Sequence, residues 1–404
     1  MIMAVGKAHF PDMPRIEGLR LGTARAGIKK ADRRDLVVFE LAEGSHVAAT
    51  FTRNAFCAAP VHVARRHLAD GAPRYLLINT GNANAGTGEQ GMKDALACCA
   101  ALAERTGRLP EQVLPFSTGV IGEPLPVERI RNGLDEALAS LDEGQWQAAA
   151  EGIMTTDTRP KGVTRTITVG GQPVTINGIS KGAGMICPNM ATMLAFVATD
   201  AAIGHDALQG LLRASVERSF NRITIDSDTS TNDACTLVAT GRGAVIESDE
   251  ALAEFSSALD DVLLSLAQAI VRDGEGATKF VTVTIEEAAS TEEALAVAFS
   301  VAHSPLVKTA LYASDANWGR LLMAVGKVPI DDFDVSQVAI DINGVTIARQ
   351  GGRAQEYREE AGAAVMAEEE INITIRLGRG VAQERVWTSD LSHDYVSINA
   401  DYRS

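Results

Sequence analysis

The sequence predicts an α/β protein, an α+β arrangement of layered sheets with flanking helices. Three observations carry that expectation. Short β-branched runs of strand length recur along the chain, amphipathic helical stretches lie between them, and several neighbouring runs are joined by hairpin turns. A doubly wound parallel sheet would instead alternate strand and helix regularly. No internal repeat and no Pro/Ser linker divides the chain.

Taken in order, LVVFEL (36–41), HVAATFT (46–52) and YLLIN (75–79) read as strands from their length and β-branched content. QGMKDALACCAALAERTG (90–107) reads as a helix stopped by Gly107, and VLPFS (113–117) as a strand before a second helix over 126–141. TRTITVGGQPVTING (164–178) reads as two strands turning at Gly170-Gly171. Beyond a glycine-rich loop, 193–201 is strand-like and 205–220 helical. From Glu250 to Arg272, Leu252, Phe255, Leu259, Leu263, Leu266 and Ile270 keep to one helical face, as expected of a helix laid on a sheet. The runs 279–287, 338–344 and 371–377 are further strands.

The 404 residues are 46% hydrophobic and 22% charged, which excludes a disordered or fibrous chain. A net charge of −15, with no basic stripe, argues against nucleic acid as a partner. Five cysteines without C-x-x-C spacing make no disulfide scaffold. With no signal-like start and no long apolar run, the expected setting is the cytoplasm, with no membrane partner.

Three loops offer chemistry. GTGEQG (86–91) has the form of a dinucleotide fingerprint, but its first glycine does not turn directly off the preceding strand, so a turn before a helix is the better reading. GISKG (178–182) has the form of a nucleophile elbow around Ser180. The following GAGMICP places Gly184 and Pro188 where the elbow needs a helix, so that reading is demoted. The third loop, KGAGMICPNMATMLAF (181–196), brings a flexible chain to Ala191-Thr192 at the start of a strand. The Thr192 hydroxyl can attack the Ala191 carbonyl and give an ester that water hydrolyses. The freed α-amine, with a reference pKa of about 8, is then a base for its own hydroxyl. Cys187 beside Pro188 reads as packing, because no paired histidine accompanies it.

That loop resembles the self-cleavage site of the ornithine acetyltransferase family, also called glutamate N-acetyltransferase, of arginine biosynthesis. FTRN (51–54), NTGNANA (79–85), STG (117–119), MTTD (154–157), RITIDSDTSTND (222–233), EGATK (275–279), SDANWGR (314–320) and the tail YVSINADYRS extend the resemblance along most of the chain. The resemblance implies a self-cleaving, N-terminal-nucleophile-like fold, with an N-terminal chain of residues 1–191 and a C-terminal chain of residues 192–404, two of each assembling together. It implies acetyl transfer from N-acetylornithine to glutamate by a ping-pong mechanism through acetyl-Thr192.

By matching positions, Thr192 is the nucleophile and Thr118 with Gly119 forms the oxyanion hole. The cut falls between Ala191 and Thr192, and Thr155, Lys181, Thr192, Glu275, Asn399 and Ser404 bind substrate. Lys181 and Glu275 give the two charge signs a zwitterionic amino acid needs. Neither metal nor cofactor is expected, and acetyl-CoA is left open as a second acetyl donor, for an added amino-acid N-acetyltransferase activity. The rival readings are a related self-processing aminopeptidase or amidohydrolase, with water as acceptor, and an uncleaved amino-acid-binding regulator.

Overall fold

The computed structural model describes residues 4–7, 9–29, 32–187 and 193–401. They divide into two compact units, one formed by His9–Asn221 with Asp228–Ile270, the other by the N-terminal segment, Arg222–Ser227 and the chain from Val271 onward.

In the first unit the strands are β1 (Leu19–Ala24), β2 (Leu36–Leu41), β3 (His46–Phe51), β4 (Tyr75–Asn82), β5 (Val113–Val120), β6 (Lys161–Val169), β7 (Gln172–Lys181), β8 (Leu194–Thr199) and β9 (Ala234–Ala239). Its helices are α1 (Ala59–Asp70), α2 (Gly88–Thr106), α3 (Val127–Ala139), α4 (Trp146–Ile153), α5 (His205–Arg218) and α6 (Asp249–Arg272). Among the described residues the strands make two sheets, ordered β1-β2-β4-β5 and β3-β9-β8-β7-β6.

The sheets lie face to face because each turns an apolar face inward. Leu19, Leu21, Val37, Phe39, Leu76, Ile78, Leu114 and Phe116 of one share a core with Val47, Ile179, Leu194, Phe196 and Val238 of the other. Phe196 sits at the centre, its ring centroid 5.4 Å from that of Phe39 and 5.2 Å from that of Phe116. On the outer face of the smaller sheet, Leu36, Val38 and Leu77 pack on Cys98, Cys99, Leu102, Ile130 and Leu134 of α2 and α3. Outside the larger sheet, α5 packs on β3 and β9. Gly178 of β7 lies so close to α6 that a β-carbon there would come within 2.8 Å of Leu266. The order of layers is therefore helix, sheet, sheet, helix, and the expectation of layered sheets with flanking helices holds.

Several elements run past their sequence-based ends. The 164–178 hairpin extends to Lys161 on one side and Lys181 on the other, around glycines 170 and 171 in left-handed conformation. β5 does not stop at Ser117. It carries Thr118 and Gly119 in parallel register with Thr80 and Gly81. α2 ends on Gly107, whose φ of 64° supplies the left-handed cap.

The second unit holds β10 (Phe280–Ala288), β11 (Ala339–Ile342), β12 (Val345–Arg349), β13 (Gly352–Arg353), β14 (Glu370–Arg376) and β15 (Ala382–Ser389), with α7 (Thr291–Ala302), α8 (Pro305–Tyr312), α9 (Trp318–Gly326), α10 (Glu359–Met366) and α11 (His393–Ala400). Its mixed sheet runs β13-β12-β11-β14-β10-β15, with β10 parallel to β14 and antiparallel to β15. Val281, Val283 and Ile285 of β10 form one core with Val297, Val301, Leu321 and Val325 of the helices. Among the described residues no single helix is long and apolar enough to cross a membrane, although α7 and α8 together meet that test by length and composition.

Candidate active site

Five strand ends of the first unit meet where the two sheets open: the exits of β4, β5 and β7 and the starts of β8 and β9. Thr118 and Gly119 stand at the exit of β5. Gly119 has a φ of 135°, and a β-carbon there would lie 2.3 Å from the carbonyl carbon of Gly81, so only glycine fits. The close approach coincides with a register shift at Gly81/Asn82 that re-aims the strand end. Lys181, the last residue of β7 and buried, donates from Nζ to Thr118 Oγ1 at 3.3 Å. Two of the expected binding and oxyanion residues are thus in direct contact, from opposite sheets.

The polar residues of three sequence blocks hold this end in shape. Ser117 Oγ donates to Asn79 Oδ1 at 2.6 Å, and Asn79 Nδ2 donates to the Asn82 carbonyl at 2.9 Å. Asn232 Nδ2 donates to the carbonyls of Ser117 and Ala83, at 2.9 and 2.6 Å. The run NTGNANA, the STG triplet and the acid-rich stretch before β9 therefore share one buried network. Such groups are tolerated inside because each finds a partner.

Thr155 lies in the bend between α4 and β6. Its amide donates to Asp157 Oδ2 at 2.9 Å, and its carbonyl accepts from Arg33 Nη1 at 3.2 Å. Burial lowers the Arg33 pKa, against the pull of Asp157 and Asp35. Asp157 is fully buried, and its Oδ1 also accepts from Lys161 Nζ at 2.6 Å and from the Gly182 amide at 2.7 Å. Burial alone would push this carboxyl up, but Lys161, Lys181 and the Gly182 amide hold it well below the usual range, as a carboxylate.

The far end of the same loop rests on a second buried acid. The Met193 amide donates to Asp233 Oδ1 at 2.9 Å. Burial drives the Asp233 carboxyl well above its ordinary value, opposed by that amide, the Ser230 hydroxyl and the Lys181 charge. Gly182 and Met193 are thus each held by a buried aspartate, Asp157 with its carboxyl pKa lowered by the neighbouring lysines and Asp233 with its pKa raised by burial. Neither acid is singled out by sequence reasoning. The available signals are an acid two residues after Thr155 and another directly before the apolar run ACTLVA.

In the second unit Asn399 Nδ2 donates to Glu275 Oε2 at 2.8 Å, so these two expected binding residues are brought together. Ser392 Oγ holds the Gly276 carbonyl at 2.6 Å, which ties the EGATK turn to α11. Asn317 of SDANWGR caps α9, accepting from the Arg320 amide at 3.0 Å. Ala191, Thr192 and Ser404 lie outside the described residues.

The demoted readings fare as expected. Ser180 is wholly buried inside β7, with its hydroxyl unpartnered among the described residues, and no elbow forms around it. GTGEQG is a turn into α2, where Thr87 Oγ1 donates to Asn84 Oδ1 and Asn84 Nδ2 to the Gly91 carbonyl. Cys187 is buried. Among the described residues no three His, Cys, Asp or Glu side chains gather in a way that would hold a metal ion.

The match to known proteins runs the length of the chain. A curated relative, the arginine biosynthesis bifunctional protein ArgJ of Pseudomonas syringae pv. tomato, is 56% identical over 406 residues that span 100% of both chains. The protein of the same description from Methylococcus capsulatus is 58% identical over 392 residues, 96% of each chain. Among solved structures, a chain of the Bacillus halodurans arginine biosynthesis bifunctional protein ArgJ is 40% identical and covers 51% of this chain and 97% of its own, with a TM-score of 0.48. The sequence model of the ArgJ family matches residues 20–404, and this chain belongs to that family.

Proposed function

We propose that the chain transfers an acetyl group from N-acetylornithine to glutamate through an acetyl-Thr192 intermediate, after cutting itself between Ala191 and Thr192. The observation that carries this reading is the contact of Lys181 with Thr118 at the mouth of a loop whose two ends are fixed on Asp157 and Asp233. The curated relatives' description as bifunctional proteins of arginine biosynthesis supports the same chemistry.

In the transfer, the Thr192 hydroxyl attacks the acetyl carbonyl while the α-amine takes its proton. Negative charge gathers on the carbonyl oxygen, where the Thr118 hydroxyl and Gly119 amide are the donors. Such a donor contributes about 3–4 kcal/mol in acyl transfer. Ornithine leaves with the amine's proton, and the amino group of glutamate reverses the sequence. Glu275 with Asn399 serves the amines of the amino acid, Lys181 its carboxylate, and Thr155 and Ser404 complete the binding set. The word bifunctional favours acetyl-CoA as a second donor.

The cut yields chains of residues 1–191 and 192–404. They stay together because β7 and β8, on either side of it, pair along Ile176–Lys181 and Leu194–Thr199. Two copies of each chain and a cytoplasmic setting complete the reading.

Enzyme mixed with N-acetylornithine alone should release about one ornithine per site quickly and then stall, with one acetyl group on the peptide that begins at Thr192. Double-reciprocal plots at several glutamate concentrations should be parallel. Intersecting lines with no acetylated peptide would refute the covalent step. Steady release of acetate regardless of glutamate would favour an amidohydrolase.

A further inference from the structure

Glu275 and Asn399, the pair proposed to serve the amines of the amino acid, stand on two pieces of the second unit that local structure alone leaves loose. Glu275 lies in the turn between α6 and β10, and Asn399 near the end of α11. α11 has eight residues and buries none of them. A helix shorter than about 12 residues is marginal in water by itself, so its direction depends on what anchors its start.

That anchor is the junction Asp390-Leu391-Ser392, directly after β15. Asp390 is 4% exposed. Its Oδ1 accepts from the amides of Thr278 and Lys279 at 2.8 and 2.9 Å, and its Oδ2 from Thr278 Oγ1 at 2.5 Å. Ser392 Oγ donates to the Gly276 carbonyl at 2.6 Å and caps α11 by accepting from the Tyr395 amide at 3.4 Å. The turn presses closely on this junction. A β-carbon on Gly276, where φ is 69°, would lie 2.5 Å from Ser392 Oγ and 2.6 Å from the Tyr395 nitrogen. Lys308 secures the end of β15, its buried Nζ donating to Thr388 Oγ1 at 3.0 Å and to the Ser389 carbonyl. Burial pulls the Lys308 ammonium down to about 8, and the charges of Asp390 and Asp226 oppose that pull.

We propose that Asp390 and Ser392 are positioning residues for amino-acid recognition, fixing the turn of Glu275 and the helix of Asn399 on one junction so that a carboxylate and an amide meet the substrate's amine together. The inference rests on the role given to Glu275 and Asn399 above. Both residues act through the backbone. They hold the amides of residues 278 and 279, the carbonyl of Gly276 and the first turn of α11.

The test is KM and kcat for N-acetylornithine and glutamate on cleaved protein, with cleavage followed by intact mass and stability by melting temperature. Asp390→Ala gives up three acceptor bonds. It should raise both KM values about fivefold or more and leave kcat within about twofold, the mark of binding lost equally from ground and transition states. It should be cut at the parent rate, because the proposed cut lies in the other unit. Asp390→Asn keeps an oxygen for both amides and should recover most of the affinity, while Ser392→Ala should raise KM in the same direction by less. Val283→Ala, which loosens the core of the same unit away from the junction, should lower the melting temperature and leave KM unchanged. Parental KM values in Asp390→Ala overturn the proposal, as does a Val283→Ala that raises KM as much at a matched loss of melting temperature. If Asp390→Ala does not fold, Ser392→Ala decides, and parental KM values there overturn the proposal equally. Parental KM values in Glu275→Ala sink the recognition role proposed above and this inference together. Raised values in Glu275→Ala beside parental ones in Asp390→Ala sink this inference alone.

Discussion

Lys181 Nζ reaches Thr118 Oγ1 at 3.3 Å, and the two residues close different sheets. The contact couples a buried cation to the hydroxyl expected to face the developing oxyanion. The charge of Lys181 therefore strengthens the hydroxyl as a donor, besides the role proposed for it in binding a substrate carboxylate.

Thr118→Ala should leave cleavage and fold intact and lower kcat by about 10²-fold or more. Thr118→Ser should keep much of the rate. Steady-state kinetics on fully cleaved protein check this, and an unchanged kcat in Thr118→Ala would remove the hydroxyl from the mechanism.

Gly119→Ala should act on stability as well as rate. A side chain at φ 135°, with its β-carbon 2.3 Å from the Gly81 backbone, must displace β4 or β5. Backbone strain and overpacking together should cost about 2 kcal/mol or more. Thermal melts that match the parent would mean that the strand ends are softer than the close approach indicates.

Asp157→Asn should destabilise the protein most near neutral pH. The pKa of Asp157 is lowered by Lys161 and Lys181 against the effect of burial, so its contribution is fully present above the unfolded value, about 3.9. That contribution declines as pH falls toward the folded value, because the ionised form is the one the fold stabilises. Removing one member of a buried pair costs about 3–5 kcal/mol, and the gap to the parent should narrow on acidification. Denaturant midpoints at pH 7 and below pH 4 measure it. A gap independent of pH would refute the ion pair as its source.

Thr192→Ala should leave a single chain with no transfer activity, whereas the parent should separate under denaturing conditions into chains of 191 and 213 residues. N-terminal sequencing that finds the second chain starting elsewhere would move the nucleophile.

Much of this fold is legible where one physical signal dominates. The run LVVFEL coincides with β2, and the single-faced leucines of 250–272 lie within α6. β9 escapes notice because small residues, ACTLVA, directly follow an acid-rich stretch that reads as loop. β4 runs three residues past YLLIN because Asn79 is satisfied by Ser117 and Asn82 by the Glu123 and Pro124 carbonyls, a circumstance no local propensity records. The same limit governs the site. The resemblance points to Thr118, Gly119, Thr155, Lys181, Glu275 and Asn399. Asp157 and Asp233 stay hidden because acids are ordinarily exposed, and only the assembled sheets bury them.

The pairing of β7 with β8 carries a last consequence. Before the cut proposed between Ala191 and Thr192, these strands are neighbours on one polypeptide, and their docking is a unimolecular event whose rate ignores dilution. After it, the same sheet joins two molecules, so its reassembly from denaturant becomes bimolecular and its melting point should fall on dilution. The enzyme would then fold once as a single chain and thereafter persist as a complex, easier to keep than to rebuild. Thr192→Ala, which never changes molecularity, should refold at one rate at every concentration.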